Sequence, residues 1–233
     1  MHDPPGIDHA IYANVNAQWL GALAEAGGRL ERIDWVARAE QGLRQLLVRM
    51  EAPGGLIYHY QLPGAEPQLG SILLDVTEVA RACIAVGQAS GDPEFIAVAR
   101  KLVGAIEKHF WADDGGFYDR IKGPDDVGVL RYRDRPFDLN AVLARVLLDL
   151  SLAFGERSYR ALAERTLALL SPSAGRYAVG ASQFALAVHD FFDAPVQLVV
   201  TGAGIRAEEL RATALALPLA SRRVWSMPQG GRI

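Results

Sequence analysis

Two carboxylates stand at the starts of apolar stretches where a charge needs a reason: Asp75 in Leu74-Asp75-Val76 and Asp138 in Asp138-Leu139-Asn140-Ala141. A pair of carboxylates about 5–9.5 Å apart is what glycoside cleavage requires. Asp75 with Asp138, or with Asp119 from the preceding loop, are the pairings this chain offers. His59 lies between Tyr58 and Tyr60. An imidazole titrates near neutral pH and suits acid–base work, and the flanking rings suit a sugar face. Asn140, Tyr118 and Asp119 complete the set as hydrogen-bonding and stacking groups for a polyol. Sugar epimerisation would want two bases, and His59 with His189 is the available couple. Each residue also has a structural role open to it. Asp75 could favour a helix N-terminus, Asp138 could be an N-cap, and His59 could be a polar loop residue. His189 fits helix surface or a C-terminal dipole partner better than a base.

Other chemistries are poorly supplied. Asp113-Asp114-Gly115-Gly116 has carboxylates but not the ordered ligand spacing of a calcium loop, so it reads as a turn and no metal is expected. Gly202-Ala203-Gly204-Ile205-Arg206-Ala207 follows an apolar strand in the G-x-G-x-x-A pattern. No acid follows at the second strand, so a nucleotide site is not expected, nor any other cofactor. Cys83 is the single cysteine, which rules out an intramolecular disulfide, a CxxC pair and a thiolate-rich zinc site. Lys and Arg total 24 against 27 Asp and Glu, so nucleic acid is not an expected partner. No long uncharged apolar run suggests a membrane span, and Met1-His2-Asp3-Pro4-Pro5 lacks a cationic leader, so a cytoplasmic location is expected.

The elements that must position these residues come from repetition. Trp35/Ala39, Phe95/Ala99 and Tyr159/Ala163 each place an aromatic one helical turn before an alanine, and Gly91 and Gly155 lie 64 residues apart. Apolar periodicity predicts helices over 8–26, 33–51, 71–89, 93–110, 137–154, 157–170 and 180–192. Tight glycine turns join the first to the second, the third to the fourth and the fifth to the sixth. Long loops, 52–70 and 111–136, join the others and carry short strand-like pieces. All long loops therefore fall at one end, with the N-termini of the odd-numbered helices, and that end is where a pocket is expected. The third and fifth helices read as apolar nearly all round and the even-numbered ones carry a charged face. This predicts an inner and an outer layer. The fold class is mainly α: a partial (α/α) toroid of helical hairpins over residues 1–194. Residues 195–233 form a small strand–helix–strand unit.

The motifs Gly54-Gly55-Leu56-Ile57-Tyr58-His59, Leu74-Asp75, Ser90-Gly91-Asp92-Pro93-Glu94-Phe95, Asp114-Gly115-Gly116-Phe117-Tyr118-Asp119, Asp138-Leu139-Asn140-Ala141 and Phe154-Gly155-Glu156-Arg157-Ser158-Tyr159 occur in this order, followed by Val199-Val200-Thr201-Gly202. Together they resemble the C-terminal region of the spermatogenesis-associated, thioredoxin-domain-bearing family, the bacterial YyaL-like proteins. The resemblance spans about residues 7–226. It implies a six-hairpin glycosidase-like toroid related to glycosidases and N-acylglucosamine 2-epimerases, and a carbohydrate-binding or carbohydrate-processing role at the long-loop end. The other reading is a non-catalytic helical scaffold or interaction module of that family. The chain departs from the family in lacking a thioredoxin-like portion and in carrying Asp75-Val76 where the family often has two adjacent acids. A closed ring of this kind has twelve helices and about seven are predicted here. Self-association or a separately encoded partner half is therefore expected.

Overall fold

The computed structural model describes residues 7–70, 72–124, 126–219 and 221–227; the expectation about Met1 to Pro5 lies outside them. The helices are α1 Ala13–Arg29, α2 Ile33–Met50, α3 Leu73–Ser90, α4 Pro93–Phe110, α5 Phe137–Phe154, α6 Arg157–Leu170, α7 Ser182–Phe192 and α8 Ile205–Ala216. The strands are β1 Ile11–Tyr12, β2 Glu51–Ala52, β3 Leu56–Ile57, β4 Tyr60–Gln61, β5 Val196–Thr201 and β6 Arg222–Met227. The first helix starts later than its periodicity predicts, because Ile11 and Tyr12 pair antiparallel with Gln61 and Tyr60.

Local chemistry sets the hairpin ends. Asp92 caps α4 by accepting the Glu94 N–H at 2.9 Å, with Pro93 in the first turn. Gly91 and Gly155 close α3 and α5 at φ of 80° and 68°, the left-handed conformation that a side chain resists. Arginines of the outer helices lie over aromatics of the following hairpin: Arg44 over Phe95, Arg100 over Phe154 and Arg160 over Phe191. Arg44 also pairs with Asp92 and Glu94, and Arg100 with Glu156.

The layers are those of an (α/α) toroid. α1 packs on α3, α3 on α5 and α5 on α7, while α2, α4 and α6 pack behind them. Small buried residues, among them Ala17, Ala24, Ala80 and Ala144, let the inner helices approach, and Phe95, Phe110 and Phe117 fill the space toward the outer layer. The inner helices are not apolar all round. Gln18 and Glu25 on α1, Arg81 and Gln88 on α3, and Arg145 and Asp149 on α5 form polar stripes at helical spacing.

The tail is a parallel β5–β6 pair, in register from Val196↔Arg222 to Thr201↔Met227, joined by α8. It has a small cluster of its own, Val200, Ala214 and Val224. Trp225, only 2% exposed, joins the main core instead. The Val224 N–H donates to Gln88 Oε1 at 3.2 Å, so the tail is seated on α3.

Candidate functional site

The long-loop end is knitted together by the groups that finish the inner helices. A helix N-terminus leaves four N–H groups without intrahelical partners. At α1 the Ala13 N–H donates to the His59 carbonyl at 2.9 Å, and the Asn14 N–H to Asp75 Oδ1 at 3.3 Å. At α3 the Leu73 N–H donates to the Asp119 carbonyl at 2.9 Å. The loop before α5 is held by Asn140. Its Oδ1 accepts the Phe117 N–H at 2.7 Å, and its Nδ2 donates to the carbonyls of Phe117 and Pro136, both at 3.0 Å. Asp119 Oδ1 accepts the Asp134 N–H at 3.0 Å. The two long loops are thereby fixed to α1, α3 and α5.

Within this network His59 and Asp75 meet. His59 Nδ1 lies 3.0 Å from each oxygen of the Asp75 carboxylate. Asp75 is fully buried, whereas the His59 side chain keeps 23% of its surface exposed. Burial pushes the Asp75 carboxyl above its ordinary value; His59 opposes that shift, by hydrogen bond and by charge, and the Asn14 N–H adds to the opposition. With Asp75 ionised, a carboxylate that only accepts, Nδ1 is the donor, and a neutral imidazole then presents its lone pair at Nε2. Tyr12 and Tyr60 stand edge-on to the imidazole, with centroids 5.5 and 5.9 Å away.

The other residues named from the sequence fall as follows. Asp138 is exposed in the first turn of α5, where Pro136 holds the cap position without a side-chain bond. It lies one turn before Val142 and two before Arg145, on the inward stripe of α5. Asp75 presents no exposed oxygen, so a carboxylate pair with both members open to a ligand is not formed by Asp75 with Asp138 or Asp119. Asn140 is fully buried and its amide is occupied by backbone. Tyr58 is half-buried and packs on the core; Tyr118 is also half-buried, with the Arg133 guanidinium 3.7 Å over its ring. His189 sits near the C-terminus of α7, at the end opposite His59. Its side chain is 56% exposed beside Asp190 and Asp193. The two histidines therefore do not form a base pair. Asp114 pairs with Arg135 at 2.7 Å, in keeping with a turn, and no metal-holding cluster of His, Cys, Asp and Glu occurs among the described residues.

The cavity also departs from the sequence expectation. A space of about 280 Å³ opens toward the C-terminal ends of the inner helices, lined by residues of α1, α3 and α5 and roofed by the tail. None of Asp75, Asp138, His59, Asn140, Tyr58, Tyr118 or Asp119 lines it. The residues that do, Arg81, Arg145, Asp149 and Arg223 among them, were not singled out by type. For Arg81, Arg145 and Asp149 the signal is a charge at helical spacing inside helices that otherwise read as apolar. The roof could not be read from periodicity, because it depends on where β6 docks. Beside this space Glu78 is 5% exposed, 2.8 Å from Arg81, and burial pushes its carboxyl upward.

No protein-family model matches the chain, and no curated protein is similar to it in sequence. Solved structures are similar in fold. A sugar epimerase from a ruminal bacterium aligns with a TM-score of 0.57 at 16% identity, over 68% of this chain and 43% of that one. An unsaturated glucuronyl hydrolase specific for heparin aligns with a TM-score of 0.59 at 19% identity, over 72% and 48%. The GH76 α-mannanase of Bacteroides thetaiotaomicron aligns with a TM-score of 0.56 at 11% identity, over 92% and 70%. The fold is mainly helical, an (α/α) toroid arrangement of helical hairpins like that of these structures. The chain spans less than half the length of the epimerase and the glucuronyl hydrolase. No helix among the described residues is long and apolar enough to cross a membrane.

Proposed function

We propose that this chain is a carbohydrate-handling portion of a six-hairpin toroid, and that its working group is His59 at the long-loop end. The observation that carries the reading is the His59–Asp75 couple: a buried carboxylate holds Nδ1 while part of the imidazole stays open beside Tyr12 and Tyr60. In that state His59 is a base or a hydrogen-bond acceptor through Nε2, and Asp75 is a positioning residue. Proton transfer next to a sugar carbonyl fits this couple better than glycoside cleavage, since Asp75 is too buried to touch a substrate. Asp138, exposed on the inward stripe, and the Tyr58 and Tyr118 rings are the groups left to bind hydroxyls and sugar faces. Asn140 and Asp119 act through the loops they hold. The kinship to the thioredoxin-domain-bearing family belongs to this same reading and rests on the motifs quoted above.

An association surface belongs to this reading as well. Val15 and Trp19 on α1 are 56% and 64% exposed, one turn apart on a helix edge. A second copy or a separately encoded half would cover that edge. Solvent deuterium incorporation into aldoses and disaccharides, followed by NMR, tests the activity. Exchange should vanish in His59→Gln. In Asp75→Asn it should slow through kcat, with KM little changed. Wild type that neither exchanges nor binds any sugar, with Asp75→Asn only less stable, would overturn this reading. It would favour the second one, a helical scaffold, which the complete backbone occupation of Asn140 already suits.

A further inference from the structure

The cavity under the tail has an unbalanced set of charges. Five arginines line it, Arg29, Arg81, Arg145, Arg222 and Arg223, against the two carboxylates Glu25 and Asp149. Three of the five are neutralised. Arg81 pairs with Glu78, Arg145 with Asp190, and Arg223 with Asp149 and Asp190. Among the described residues, Arg29 and Arg222 form no ion pair. They are near enough that Arg29 depresses the Arg222 pKa, after burial itself, while Glu25 partly offsets both. Arg222 is 8% exposed. Its terminal nitrogens donate to the carbonyls of Leu215 and Leu219, which closes the end of α8, but its Nε–H is buried with no partner. A buried donor on a cation is left unmet only at a cost, unless something absent from the protein meets it.

We propose that this cavity binds the oxyanion of a small polar metabolite, a phosphate ester or a sugar carboxylate, between Arg29 and Arg222. A guanidinium suits either oxyanion: exposed Arg29 can offer its fork to two oxygens at once, while Arg222 adds its charge and its one unmet Nε–H. The volume sits at the small end of ligand pockets, which run from roughly 300 to 1,000 Å³, so the ligand is the size of a single sugar unit. Arg29 and Glu25 are both exposed and mark the open side, while Arg222 forms the buried end. Glu25 stands one turn before Arg29 and is the group an incoming anion must displace electrostatically. The site lies at the other end of the inner helices from His59, so it stands or falls independently of the proposed proton chemistry.

The test is thermal shift and calorimetry on the full chain with inorganic phosphate and, separately, with D-glucuronate, each against sodium chloride at equal ionic strength. At about ten times the dissociation constant, binding should raise the thermal midpoint by roughly 3–6 °C. Arg29→Gln should weaken binding about tenfold or more, the loss expected for one charge-assisted bond, and Glu25→Gln should strengthen it. Both are substitutions on exposed surface of α1, so they carry the test if Arg222→Gln fails to fold. A response to phosphate alone identifies a phosphate ester, and a stronger response to glucuronate a carboxylate; either supports the site. No response beyond chloride overturns it, as does an undiminished response in Arg29→Gln.

Discussion

Replacing Asn140 with leucine separates a structural from a ligand-binding role for that residue. The substitution removes three hydrogen bonds, to the Phe117 N–H at 2.7 Å and to the Phe117 and Pro136 carbonyls at 3.0 Å each. Phe117 is fully buried, so its peptide groups have no ready substitute from solvent. At about 1–1.5 kcal/mol net per bond the loss is about 3–4.5 kcal/mol. For a chain of this size that is a fall of roughly 6–18 °C in thermal midpoint. Urea unfolding of wild type and Asn140→Leu without any sugar measures it. A loss below about 1 kcal/mol would refute the reasoning, since the loop would then not depend on the clamp. Asn140→Asp sharpens the same point. It keeps the acceptor for Phe117 but points carboxylate lone pairs at two carbonyl oxygens. Its folded pKa should rise above the unfolded one, so the variant should be most stable in acid and lose stability as pH rises through the folded value.

Three further outcomes are expected. Burial raises Glu78 from its ordinary 4.5, so the native state holds that proton more tightly than the unfolded chain. Its stabilising contribution is present below about pH 4.5 and fades as pH rises through the folded value; Glu78→Gln should flatten that slope in urea titrations at several pH values, and an unchanged slope would clear Glu78 of it. Arg223→Met strips Asp149 of its partner in a largely buried setting and should cost about 3–5 kcal/mol, with much of it recovered in Arg223→Met/Asp149→Leu; a double variant no better than the single would show that the pair is not what holds β6. Light scattering should find the wild type associated and Trp19→Asp shifted toward monomer, while a monodisperse wild-type monomer would refute the proposed use of the α1 edge.

What could be read from the sequence was local. The Gly91 and Gly155 turns, the Asp92–Pro93 helix start and the aromatic–alanine repeat each depend on residues within a turn or two of one another. They predict the helices and the two-layer order. What could not be read was long-range. Nothing near His59 in the chain says that its Nδ1 will rest on Asp75, because that contact needs the 52–70 loop folded back over α1. Asn140 stands out in the sequence as a hydrogen-bonding group, but what it bonds to is not written beside it. Its partner, Phe117, lies 23 residues earlier in another loop. The composition of α3 hid Glu78 and Arg81, since two charges in an apolar helix do not disturb its mean character although they define its inward face.

The same inward face shows why the tail matters to the architecture. Inner helices that carry Arg81, Gln88, Arg145 and Asp149 toward the hollow of a ring need either water or counter-groups there. In this chain β6 supplies counter-groups at the C-terminal ends. Arg223 meets Asp149 and Asp190, and the Val224 N–H meets Gln88. Trp225 adds an apolar anchor that joins the main core. The two ends of the inner helices are thus finished by different means. Loop backbone and side chains close the N-terminal ends around His59, and a folded strand–helix–strand covers the C-terminal ends. The second arrangement leaves a partly open space with surplus arginine, because the tail brings Arg222 and Arg223 together while the helices beneath supply acids enough for one of them. The proposed hydroxyl site and the proposed anion site therefore lie at opposite ends of the same helices.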